Sequence, residues 1–251
     1  MFEGKIALVT GATAGMGRAT AIAFAREGAK VIMAARREQR GQEVVDQIAA
    51  FGGESMFVKT DVRNPADIDN LFKTILAKYG RLDFAFNNAG VSTPYNPIVT
   101  KYDDDEWDRI METNFRGVWL CMKHELDIMK KQGGGIIVNT ASVLGVMGDW
   151  GLSHYSASKH GSLGMAKVAA MEYCNDSVRI NTICPGPIMT EMIELALPYM
   201  PKMVEVMAGK TALRRIGQPE DIAGVALWLC TDEAAFMIGK EIVVDGGYIT
   251  Y

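Results

Sequence analysis

The 251-residue chain has few cysteines, few prolines and no dominant sign of charge, and each shortage excludes something. Its four cysteines, Cys121, Cys174, Cys184 and Cys230, are widely spaced in apolar surroundings. That spacing suits neither a disulfide framework nor a metal cage, so reduced, buried thiols are expected and no metal site is assigned. Lys and Arg total 26 against 30 Asp and Glu, a net charge of −4. Such a balance gives no basic excess to hold nucleic acid or an anionic membrane surface. No apolar run approaches the roughly 20 residues that span a bilayer. The first residues lead straight into the apolar run Ile6-Ala7-Leu8-Val9 rather than a leader pattern, and a cytoplasmic location is expected. The eight prolines and the glycines do not gather into linkers, and no internal repeat is visible. Methionine, by contrast, is abundant, with 16 residues that read either as core filler or as an adaptable apolar pocket.

The apolar residues alternate between two periods. Short β-branched runs at 5–10, 30–35, 55–60, 82–87, 135–140, 178–184 and 241–245 predict strands. Between them, 15–27, 38–51, 65–79, 106–131, 155–174 and 219–229 predict helices. Strand–helix alternation of this kind implies an α/β fold, a doubly wound parallel sheet covered on both faces. A single domain is expected. Asp103-Asp104-Asp105-Glu106 precedes the longest helix and fits the positive end of its dipole rather than a metal site.

One segment breaks the rhythm. Residues 186–217 are too long for an ordinary connection and carry Met189, Met192, Met200, Met203 and Met207. An insertion at the carboxyl end of a strand belongs where such sheets bind ligands, which predicts a substrate lid with short helices. A structural excursion with core methionines is the other reading.

Thr10-Gly11-Ala12-Thr13-Ala14-Gly15-Met16-Gly17 follows the first strand and opens the first helix. Glycines there permit a tight turn and close backbone approach, and the helix N-terminus attracts pyrophosphate, which predicts a dinucleotide. At the end of the second strand, where an acid would hold a ribose 2′-hydroxyl, stand Arg36 and Arg37. Guanidinium groups suit a 2′-phosphate, so NADP is favoured over NAD. Both arginines also read as a solvated helix start, and NAD stays open.

Tyr155 and Lys159 lie four apart on a predicted helix and share a face. A neighbouring cation favours the phenolate, so Lys159 is expected to bring the Tyr155 pKa down from near 10. Ser142, 13 residues before Tyr155 at a strand end, can donate to a reacting carbonyl oxygen.

With these motifs in place, the chain resembles the short-chain dehydrogenase/reductases of roughly 250 residues. The likeness rests on the Gly loop, Asp61-Val62, Asn87-Asn88-Ala89-Gly90, Asn114, Ser142, Tyr155-x-x-x-Lys159 and Pro185-Gly186-x-Ile188-x-Thr190. It implies a Rossmann-type sheet of order 3-2-1-4-5-6-7. It implies that Tyr155 is the acid/base, that Lys159 lowers its pKa and binds the nicotinamide ribose, and that Ser142 orients the carbonyl. Asn114 would hold a water linking Lys159 to solvent. Asp61 and Val62 would meet adenine, Asn88, Ala89 and Gly90 the ribose side, and Ile188 and Thr190, beside Pro185 and Gly186, the carboxamide. Gly11, Thr13, Gly15, Met16 and Gly17 would form the phosphate loop, with Met16 where the family usually has Ile. Ala14 lacks the basic residue of some NADP-binding members. The Tyr-to-Lys spacing differs from the longer one of the enoyl reductases.

The expected activity is interconversion of a secondary alcohol and a ketone. An NAD-dependent dehydrogenase of a cyclic alcohol, steroid or sugar is the alternative, and a non-catalytic dinucleotide-binding regulator a distant one. The segment from Pro185 to Pro201 has no Arg or Lys, which favours a neutral, largely apolar substrate. Trp150, Met189 and Met192 are candidate substrate contacts, and His154 a weaker one; His124 and His160 read as structural or exposed. The family likeness also implies a homotetramer, with Trp119, Met122, Leu163, Met165 and Val168 buried between subunits.

Overall fold

A computed structural model describes residues 1–93 and 97–250. The described residues form a seven-stranded parallel sheet in the order β3-β2-β1-β4-β5-β6-β7. Its strands are β1 (Ile6–Thr10), β2 (Lys30–Ala35), β3 (Ser55–Lys59), β4 (Phe84–Asn87), β5 (Gly135–Thr140), β6 (Val178–Pro185) and β7 (Glu241–Val244). The crossovers are α1 (Gly15–Arg26), α2 (Glu38–Ala49), α3 (Pro65–Tyr79), α4 (Asp104–Met111), α5 (Gly117–Gln132), α6 (Ser153–Tyr173) and α9 (Pro219–Leu229). Two short helices, α7 (Glu191–Ala196) and α8 (Met203–Lys210), lie in the long connection after β6.

Because side chains alternate along a strand, each central strand feeds two cores. Ile6 and Leu8 of β1 and Ile32 of β2 pack with Leu71 and Ile75 of α3 and Leu126 of α5. Ala7, Val9, Val31 and Met33 pack on the other face with Phe24 of α1 and Ile222 and Leu229 of α9. Burying one such large apolar side chain contributes ~1.5–3 kcal/mol, so two covered faces explain why these strands read as continuous apolar runs.

The polar exceptions mark the ends. Asn64 caps α3 by accepting from the Ala66 N–H, and Pro65 occupies the first helical turn. The Asp103 carboxylate accepts from the Asp105 N–H and starts α4, as the acidic run suggested. Asp83 is nearly buried, accepting from the Ile6 N–H and from the Arg81 side chain, which ties the start of β4 to β1.

Three expectations need correction. The predicted helix 106–131 starts two residues early and is interrupted: a wide π turn at Glu112–Arg116 separates α4 from α5. An extra residue in a turn leaves the hydrophobic period nearly intact, so the pattern does not reveal it. Cys174 is exposed, whereas Cys121, Cys184 and Cys230 are buried; all four thiols are free. Met122 and Leu163 face the subunit's own interior, Met122 in the core above Asn139 and Leu163 beside Ala141 and Cys184, so neither is available to a partner. Trp119 and Val168 are exposed on α5 and α6.

Candidate active site

The carboxyl ends of the strands open into one cleft of about 570 Å³ at the switch point between β1 and β4. Gly11, Thr13, Gly15 and Met16 line it from the first loop, and Arg36 and Arg37 from the end of β2. Asp61 and Val62 line it after β3, Asn88, Ala89 and Gly90 after β4, and Thr190 and Met192 from the long connection.

The glycines are required by space and by backbone. Gly11 and Gly15 have φ of +67° and +47°, where a side chain is strained. A Cβ on Gly17 would stand 2.4 Å from the Gly11 carbonyl oxygen and 2.5 Å from Asn88 Nδ2. The loop is pinned from below: the Thr10 hydroxyl accepts from the Asn88 and Ala89 N–H groups, and Asn88 Nδ2 donates to the Thr10 carbonyl. Gly17→Ala is therefore expected to weaken coenzyme binding about tenfold. Far-ultraviolet circular dichroism should stay unchanged. A fluorescence titration giving a wild-type Kd would refute the steric argument.

The cleft fits an anionic dinucleotide. Ala14 at the head of α1 provides no side-chain cap, and the first turn has no acid. The first N–H groups of this 12-residue helix are thus left to a ligand anion beside the lining residues Gly15 and Met16. Arg36 adds positive charge and makes no ion pair among the described residues.

Ser142, Tyr155 and Lys159 lie behind the cleft rather than on its described lining. Gly90 is the connection: a Cβ there would come within 3.4 Å of Asn114 Oδ1 and 3.6 Å of Lys159 Nζ. Lys159 is buried and its ammonium donates to the Thr140 carbonyl at the end of β5. Its Nζ lies 5.6 Å from the centre of the Tyr155 ring, so the shared helical face is realised. The Ser142 hydroxyl oxygen accepts from the Leu144 N–H, which keeps the hydroxyl proton available for donation.

The expected fall in the Tyr155 pKa is corrected. Burial pushes the phenol up to about 12, against the opposing pull of its hydrogen bond with Ser142. Burial also pushes Lys159 down to about 8. Desolvation is the larger cause for both groups, so the protein alone does not hold Tyr155 as a phenolate.

Asn114 lies in the π turn, where its side chain clamps the main chain of Val91: Oδ1 accepts from the N–H and Nδ2 donates to the carbonyl, each at 2.8 Å. Its own carbonyl accepts from the Ser162 hydroxyl. The turn thus locks the strand-end loop 88–91 against α6, with Lys159 between them.

Other residues fall elsewhere. Trp150 is 74% exposed and off the cleft lining, as is Met189, whose N–H donates to the Gly217 carbonyl where Ile188 bridges to Gly217. Pro185 ends β6, and Gly186 abuts Asp245; neither they nor Ile188 reach the lining. Gly17 stands beneath the lining rather than on it. His154 is fully buried, its ring tilted against that of Tyr102 with centroids 4.1 Å apart, and burial holds its pKa below the usual range. His124 pairs with Asp69 and stacks on Phe72, and His160 is exposed. Sequence reasoning missed Arg109, Thr113, Glu191, Leu195 and Tyr199, all of which line the cleft. Glu191 and Tyr199 lie within the anomalous connection, but nothing in its pattern separates inward from outward positions.

Residues 11–249 match a family model described as Enoyl-(Acyl carrier protein) reductase. The cyclohexanol dehydrogenase of Acinetobacter sp. is 37% identical over 98% of this chain and 96% of its own length. The 3-oxoacyl-[acyl-carrier-protein] reductase of Synechocystis sp. is 38% identical over 98% of each chain. A crystal structure of a short-chain type dehydrogenase/reductase from Mycobacterium marinum superposes with a TM-score of 0.92 at 34% identity, covering 98% of this chain and 96% of that one. The chain belongs to the short-chain dehydrogenase/reductase family. It is therefore an oxidoreductase by family, and its dinucleotide cleft is that of an NAD(P)-dependent enzyme. Among the described residues no helix is long and apolar enough to cross a membrane, and no group of three or more His, Cys, Asp or Glu could hold a metal ion.

Proposed function

We propose that the protein interconverts a secondary alcohol and a neutral, largely apolar ketone, with NADP preferred. The observation that carries the reading is the Ser142–Tyr155–Lys159 group, whose buried Lys159 stands directly behind Gly90 of the dinucleotide cleft. When bound, the nicotinamide supplies a hydride in reduction and positive charge when oxidised. Tyr155 holds the proton at its hydroxyl and delivers it to the carbonyl oxygen in reduction, or takes it from the alcohol in oxidation. Ser142 donates to the same oxygen and fixes its position. Lys159, anchored on Thr140, places a cation near the phenol and contacts the nicotinamide ribose; Asn114 supports a relay from Lys159 toward solvent.

Gly11, Thr13, Gly15, Met16 and Gly17 form the phosphate cradle. Asp61 and Val62 meet adenine, Asn88, Ala89 and Gly90 the ribose side, and Pro185, Gly186, Ile188 and Thr190 the carboxamide side. Arg36 supports the NADP preference, since a guanidinium that makes no ion pair among the described residues suits a 2′-phosphate. Residues 186–217 act as a substrate lid, with Met192, Leu195 and Tyr199 offering an apolar inner face. The cyclohexanol specificity in the name of one relative agrees with an alicyclic substrate. The four-residue spacing of Tyr155 and Lys159 sets the chain apart from enoyl reduction. The exposed Trp119 and Val168 support a homotetramer through α5 and α6, in the cytoplasm.

The kcat/KM with NADPH is expected to exceed that with NADH at a fixed ketone concentration. A preference for NADH would overturn the role given to Arg36.

A further inference from the structure

The second arginine at the end of β2 is not free. Arg37 Nη1 donates to Glu191 Oε1 at 2.7 Å, and Arg40 Nη1 donates to the same oxygen at 2.8 Å. Arg37 also reaches back through Nη2 to the Thr13 hydroxyl, 3.4 Å away, in the phosphate loop. Glu191 opens α7, so one carboxylate joins the long connection to the coenzyme end of the sheet across 154 residues. Arg37, Thr13 and Glu191 all line the cleft. Both arginines hold the Glu191 carboxyl below the usual carboxylate range, with the Arg37 hydrogen bond the larger cause. The carboxylate is thus an anion already seated on guanidinium groups at the point where a phosphorylated coenzyme brings an anion of its own. Two anions cannot share one guanidinium without repulsion.

We propose that Glu191 is a coenzyme-discriminating residue: its carboxylate holds Arg37 and Arg40 in the place of a 2′-phosphate, which NADP must displace and NAD need not. Arg36, which makes no ion pair among the described residues, then supplies the part of the 2′-phosphate site that Glu191 does not hold, and Arg37 becomes available only when α7 releases it. The pair is partly exposed, with the Arg37, Arg40 and Glu191 side chains 42%, 48% and 31% accessible. Its effect is therefore moderate and sensitive to salt.

The inference rests on reading the cleft as a nicotinamide dinucleotide site that reaches the end of β2. It is tested by isothermal titration calorimetry of NADP⁺ and NAD⁺ against the wild type, Glu191→Gln, Arg37→Gln and the double variant at low salt. Glu191→Gln is expected to tighten NADP⁺ by about threefold to tenfold and to leave NAD⁺ within about twofold. The gain should shrink in the Arg37→Gln background and as salt is raised. An NADP⁺ to NAD⁺ ratio of Kd values unchanged by Glu191→Gln would overturn the proposal, as would a gain that survives in full without Arg37. The two readings fail separately. A wild type that binds NAD⁺ more tightly refutes the NADP preference, while a ratio that still moves on Glu191→Gln upholds the discriminator.

Discussion

Tyr155→Phe is expected to reduce turnover about 10³-fold or more while changing the coenzyme Kd by less than about threefold. The substitution removes one hydroxyl and leaves the ring, so the packing around α6 is retained. What is lost is the one group here able both to give and to take a proton beside the Ser142 hydroxyl. Because burial pushes this phenol up to about 12, the proton stays on Tyr155 at neutral pH in the coenzyme-free protein. That state suits reduction, in which the residue gives its proton away. Oxidation requires the deprotonated phenol, and it is expected to gain rate as pH rises above neutrality, until Lys159, pushed down to about 8, loses its charge. Steady-state kinetics in both directions across pH 6 to 10 checks this. A Tyr155→Phe variant within about tenfold of wild type would remove Tyr155 from the chemistry.

Glu125 yields the second large effect, on stability rather than turnover. It is fully buried on α5, where Asn87 Nδ2 donates to one carboxyl oxygen and also to Asn139 Oδ1. The other Glu125 oxygen and Asn87 Oδ1 are each buried without a hydrogen-bond partner. A buried carboxylate with one oxygen unpaired is costly, and burial pushes its pKa up to about 8 from the ordinary 4.5, against the opposing pull of the Asn87 hydrogen bond. Between these values the folded chain binds a proton that the unfolded chain has released. The contribution to stability is therefore complete below about pH 4.5 and falls by about 1.4 kcal/mol per pH unit up to about pH 8. Glu125→Gln keeps the shape, supplies donors and does not ionise. Its Tm is expected to match the wild type near pH 4.5 and to exceed it by about 10 °C near pH 8. A difference independent of pH, followed by calorimetry, would show that Glu125 is not protonated in the fold.

The sheet was legible because buried parallel strands are uniformly apolar and because the turn at Gly11, Gly15 and Gly17 has no substitute chemistry. The catalytic residues were legible because Tyr155 and Lys159 lie four apart on one helix, a spacing that survives any error in where the helix starts. That start is Ser153, two residues before the expected one. Contacts that depend on distant partners were hidden. Arg37 and Glu191 meet only through tertiary structure. Met122 and Leu163 have the same helical spacing as interface residues but point inward. Glu125 has polar neighbours in Lys123, His124 and Asp127 and so reads as the wet side of a helix, although Cys121, Met122, Ile128 and Met129 at helical spacing place it on the buried face. The sign of the Tyr155 shift was also hidden, since spacing reports the nearby cation but not the loss of water around both groups. Of the connection's methionines, Met192 reaches the cleft lining, whereas Met189 is held at the Ile188–Gly217 bridge.

The central claim is that the group behind Gly90 reduces ketones at the expense of the coenzyme in the cleft. The most direct measurement is the consumption of NADPH by the purified protein on adding cyclohexanone and a panel of alicyclic and aryl ketones, with the alcohol product quantified. Stoichiometric loss of NADPH with equal formation of a secondary alcohol from at least one member of the panel is the expected result. Tight NADPH binding with no ketone reduced across the panel would contradict it.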